Sequence, residues 1–96
     1  MKKSFKAITT ELRSFIVSNF ELTSSYKGQD EVEIDISTED GDFSMYIENY
    51  KGLITVETVI MCCESTETIR DRIIEAHRKL KELCNGSFFR FEFDII

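Results

Sequence analysis

Between Gly28 and Tyr50 the chain carries Asp30, Glu31, Glu33, Asp35, Glu39, Asp40, Asp42 and Glu48, with no lysine, arginine or histidine among them. Carboxylates at that density can hold a cation, work as an acid–base pair, or present negative charge to a basic partner. The turn Asp40-Gly41-Asp42 has the residue types of a calcium loop, but it lacks the twelve-residue spacing with a distal glutamate. Paired carboxylates for glycoside hydrolysis need a cleft that pushes their pKa values apart. A chain of 96 residues has little material for such a cleft. Display of charge is the chemistry that remains.

The thiols and the single imidazole do not assemble into a reaction centre by spacing. Cys84 and His77 are seven residues apart on a helical pattern, about 10 Å along the axis, too far for a thiol–imidazole hydrogen bond. Cys62 and Cys63 are adjacent, a poor arrangement for tetrahedral zinc, whose ligands usually lie two to four residues apart. The simpler reading has Cys62 and Cys63 ending a strand, one inward and one outward, with Cys84 closing a helix stripe. His77, beside Arg78 and Lys79, reads as a solvated or boundary residue. No catalytic residue, metal or cofactor is implied. The expectation is a protein that is not an enzyme.

The elements that position the acids follow from periodicity. Phe5, Ile8, Leu12, Phe15, Ile16 and Phe20 form the stripe of an amphipathic helix, with Ser4 as its N-cap. Residues 23–29, rich in serine and ending in Gly28, read as a loop. Val32, Ile34 and Ile36 alternate with Glu31, Glu33 and Asp35, which predicts a half-buried strand. Gly41 supplies a positive φ for the turn that follows, and Phe43, Met45 and Ile47 alternate with Ser44, Tyr46, Glu48 and Tyr50. Leu53 to Met61 is a third, β-branched run whose phase is ambiguous. Ser65 or Thr66 caps a second helix with Ile69, Ile73, Ala76, Leu80, Leu83 and Cys84 on its buried side, and Asn85-Gly86 stops it. Phe89, Phe91, Phe93 and Ile95 then alternate with Arg90, Glu92 and Asp94 in a final strand.

The expected fold is a single α+β domain spanning 1–96 in the order α-β-β-β-α-β. A four-stranded, largely antiparallel sheet carries both helices on one face. The alternation sends Glu31, Glu33, Asp35, Tyr46, Glu48, Glu57, Arg90, Glu92 and Asp94 to the open face. The turn acids Glu39, Asp40 and Asp42 lie at its rim.

Composition sets the surroundings. The formal charge is −6, and residues 28–69 alone hold eleven carboxylates against Lys51. That discourages direct binding to nucleic acid or anionic lipid, which needs clustered Lys and Arg. The basic residues of the second helix (Arg70, Arg72, Arg78, Lys79 and Lys81) alternate with Asp71, Glu75 and Glu82 and read as a salt-bridged solvated face. An α-β-β-β-α order suits a double-stranded-RNA-binding domain, but no basic loop precedes that helix. No apolar run approaches the ~20 residues of a membrane span, and no signal-peptide apolar core follows Lys2-Lys3. Three cysteines make no secreted disulfide framework, so a reducing, cytoplasmic setting is expected.

In size, charge and the acidic run Asp30-Glu31-Val32-Glu33-Ile34-Asp35 through Asp42, the chain resembles the small acidic DNA-mimic proteins encoded by phages. The resemblance implies an inhibitor of a basic, nucleic-acid-binding host protein: a restriction, CRISPR or nucleoid protein. On that reading Glu31, Glu33, Asp35, Glu39, Asp40, Asp42 and Glu48 replace phosphates, while Tyr46 and Tyr50 add amphipathic contact area. The alternative is a small acidic chaperone or adaptor, dimeric through an edge strand or the second helix. It would hold a protein partner through apolar surface.

Overall fold

The computed structural model describes residues 4–84 with their side chains and the backbone of residues 88–95. Helix α1 (Phe5–Asn19) starts at Ser4, whose hydroxyl oxygen accepts the amide of Ala7 at 3.1 Å, and buries Ile8, Leu12 and Ile16 completely. Thr9 is buried on the same helix and returns its hydroxyl to the carbonyls of Phe5 and Lys6, so no polar group is stranded.

Four antiparallel strands follow: β1 (Glu21–Lys27), β2 (Glu31–Thr38), β3 (Gly41–Tyr50) and β4 (Leu53–Cys63). Helix α2 (Thr66–Leu83), capped by Ser65, then crosses back so that β5 (Phe88–Ile95) joins the sheet parallel to β4. The sheet order is β1-β2-β3-β4-β5. This is the α+β class expected, with one strand more than the expected α-β-β-β-α-β order contains. The added strand is β1, most of which falls within the residues 23–29 read as a loop. It is an edge strand with only Leu22 half-buried, so it has no apolar alternation to announce it. Thr23 forms a bulge where the register shifts between Leu22 and Ser24, and its hydroxyl donates to the Asp35 carbonyl at 3.2 Å. The stop expected at Asn85-Gly86 and the facing of side chains along 88–95 lie outside the described residues.

Both helices lie on one face of the sheet. Val32, Ile34, Ile36, Phe43, Met45 and Ile47 meet Ile8, Leu12, Ile16, Ile69, Ile73 and Leu80 in one continuous core. At about 1.5–3 kcal/mol for each fully buried aliphatic side chain, this layer supplies the main driving force for folding. The structure also fixes the phase of β4. Ile54, Val56 and Ile60 point to the helices, and the fully buried Thr58 interrupts them because its hydroxyl meets α2. Two turns set the pairing of β2, β3 and β4. At Lys51-Gly52 both φ values are positive, 49° and 90°, the geometry of a two-residue hairpin loop. At Gly41, φ is 142°, and a Cβ there would collide with the carbonyl oxygen of Cys62.

Candidate functional site

Since period-two alternation hands one face of each strand to the helices, the other face is left open. Directly paired residues share a side, so the register places the outward side chains in rows. One row runs Tyr26–Glu33–Tyr46–Glu57 across β1 to β4. The next runs Ser24–Asp35–Ser44–Val59. On the other flank of the first, Glu31 stands opposite Glu48, which stands opposite Thr55. Near the opposite end of the strands Glu21 pairs with Ser37, and Ser37 with Asp42. Among the described residues of β1 to β4, no lysine, arginine or histidine occupies this face.

Asp35 is fixed in the middle of that surface. Ser44 on one neighbouring strand donates to Oδ1 at 2.5 Å and Ser24 on the other donates to Oδ2 at 2.8 Å. Charge-assisted bonds of this kind hold a carboxylate in place. Glu33 behaves differently. Partial removal from water raises its carboxyl above the ordinary range, and the Asp35 charge and a side-chain hydrogen bond to Asp35 push it the same way. Glu33 thus carries its charge against a like neighbour, where an ordinary surface mixes signs.

Of the acids expected to act together, Glu31, Glu33, Asp35, Asp42 and Glu48 share the outer face with Tyr46. Asp40 does not join them. Its Oδ2 lies 3.4 Å from Nε of Arg72 on α2, which ties the β2–β3 turn to the helix layer. Arg72 also donates to Glu75 at 2.8 Å. Glu39 sits beside Asp40 on the rim of a groove of about 600 Å³ shared with Arg72, Asn19 and Phe20, so it faces mixed charge. Tyr50 is 68% exposed at the far end of β3, and the chain's own Lys51 ammonium lies 5.5 Å from its ring centroid. Sequence reasoning missed Tyr26, within the residues 23–29 read as a loop, and Glu21, which lies just before them. The β-forming pair Thr23 and Tyr26 was the available signal.

Tyr46 separates two shallow depressions. One, about 180 Å³, is bounded by Tyr26, Glu31, Glu33, Tyr46 and Glu48. The other, about 210 Å³, is bounded by Tyr46, Glu48, Thr55 and Glu57. An added Cβ on Gly28 would stand 3.0 Å from Cγ of Glu31 and 3.4 Å from the Tyr26 hydroxyl, so this glycine lets both side chains close over the end of β1.

The remaining reactive groups are built into the fold. Nε2 of His77 lies 2.5 Å from Oγ1 of the fully buried Thr58, and burial lowers its pKa to about 4. It is a neutral imidazole at the helix–sheet boundary, less solvated than its basic neighbours suggested. Cys84 is buried and its thiol pushed up to about 11, Cys63 packs against the core, and Cys62 is exposed. Among the described residues no group of three His, Cys, Asp or Glu side chains could hold a metal ion. Arg72–Glu75 and Lys79–Glu82 pair along α2, as the interleaved charges predict. No described helix is long and apolar enough to cross a membrane. Compared with known proteins, the chain matches no family model, no curated protein and no solved structure.

Proposed function

We propose that the chain is a non-enzymatic binding module whose outer sheet face substitutes carboxylates for phosphates on a basic, nucleic-acid-binding protein. The observation that supports this reading is the one-sided charge: Glu31, Glu33, Asp35, Asp42, Glu48 and Glu57 share a face without a cation among the described side chains of β1 to β4. Successive outward acids on a strand lie about 6.6 Å apart and neighbouring strands about 4.8 Å apart, a two-dimensional array of negative charge. A partner evolved to neutralise phosphates with Lys and Arg gains the same kind of electrostatic energy from such an array. A restriction, CRISPR or nucleoid protein of a bacterial cytoplasm is the partner this chemistry suits, and phage origin fits that role.

The test is capture from bacterial lysate on the immobilised protein at about 50 and about 300 mM salt, followed by challenge with duplex DNA. Exposed charges are screened beyond about 10 Å at 0.1 M, so retention should collapse at the higher salt. Duplex should displace what is held at the lower salt. Partners that persist at about 300 mM and ignore duplex would favour the chaperone or adaptor reading, in which apolar surface does the binding.

A further inference from the structure

The two depressions beside Tyr46 have a common chemistry. Each brings a phenol ring and at least two carboxylates around a floor of strand backbone at Val32, Ile47 or Val56, whose own side chains point into the core. A ring face attracts a cation, and carboxylates at its margin accept that cation's hydrogens. A guanidinium satisfies both at once. It is planar, weakly hydrated, stacks on an aromatic face and donates sideways through a rigid fork. An ammonium is a compact, strongly hydrated point charge and gains less from the ring.

Resting on the reading of this face as the docking surface, we propose that the depressions on either side of Tyr46 are arginine subsites, and that the partner presents two arginines side by side to straddle that ring. The subsites lie over neighbouring strand gaps, β2/β3 and β3/β4, with the Tyr46 side chain between them. Residues three or four apart on a helix offer Cβ atoms about 5–6 Å apart, and their long arginine stems can splay to either side of one ring. Glu48 borders both subsites and holds the pair together electrostatically. Tyr26 closes the outer side of the β2/β3 subsite, and Glu57 borders the β3/β4 subsite.

The probe is an alanine-rich helical peptide with two arginines four residues apart, compared by calorimetry with the same peptide carrying two lysines. The arginine peptide should bind about fivefold more tightly at equal charge. Tyr46→Leu should abolish that difference while leaving the salt dependence of both peptides, and Tyr46→Phe should keep it. Equal affinity for the two peptides, lost equally with salt, would overturn the arginine subsites and leave the acidic docking face standing. Binding of neither peptide would also overturn them, and the duplex challenge would then decide the wider reading on its own.

Discussion

Glu31 and Glu48 stand directly opposite each other across β2 and β3, two carboxylates in register on the open face of the sheet. Cross-strand like charges destabilise a sheet, and opposite charges at the same positions stabilise it, by roughly 0.2–1 kcal/mol per pair. The pair is a local cost to the fold, and on the proposed reading it is charge presented to a partner together with Glu33, Asp35 and Glu57.

The first prediction is therefore a trade of function against stability. Glu48→Lys should raise the unfolding free energy by about 0.5 kcal/mol, read from denaturant midpoints at low salt, because it converts the repulsion into a cross-strand ion pair. The same substitution should weaken capture of basic proteins. A variant that is less stable, or that binds unchanged, would contradict the view that this acid is there for binding.

A second prediction concerns acid sensitivity. His77 titrates near 4 in the folded state against 6.5 ordinarily, since burial disfavours its charged form. Between those values the unfolded chain binds a proton that the native protein does not. Stability from this group is therefore complete above about pH 6.5 and falls as the pH drops toward 4. The loss is on the order of 3 kcal/mol. His77→Gln should flatten the stability profile over that window, measured by thermal melts at a series of pH values. A profile as steep as that of the unsubstituted protein would place the acid sensitivity elsewhere.

Gly41 and Gly52 make a matched pair of backbone tests. Both have positive φ, but a Cβ at Gly41 meets the Cys62 carbonyl and Cα of Cys63, whereas one at Gly52 meets nothing within 4 Å. Gly52→Ala should cost about 1 kcal/mol from backbone strain, and Gly41→Ala about 3 kcal/mol because β4 must also move. Equal losses would mean that the close approach of β3 to β4 at this turn is not a constraint.

The inner half of the molecule was legible in the sequence because burial writes a period. Ile8, Leu12 and Ile16 announced α1, and Val32, Ile34 and Ile36 announced both β2 and its orientation, which in turn gave the outward acids Glu31, Glu33 and Asp35. What the sequence withheld is what pairs by backbone alone or through a distant side chain. Strand β1 is exposed along nearly its whole length, so its serines looked like a loop, and Tyr26 was lost from the site with it. Asp40 is acidic like its neighbours, but its ion pair with Arg72 depends on how α2 returns over the β2–β3 turn. The phase of β4 stayed ambiguous because Thr58 is polar and faces inward, a position explained only by His77 nineteen residues later.

The most direct measurement is the capture of basic proteins by a charge-reversed variant, Glu33→Lys with Glu48→Lys, whose fold is verified by its thermal melt. Both residues are outward-facing and neither belongs to the core, so the variant should fold at least as well as the original. At about 50 mM salt it should retain none of the DNA-displaceable proteins held by the unsubstituted chain, because two positive charges then face a cationic surface. Retention of the same proteins by a folded variant would contradict the claim that this acidic face is where the partner docks.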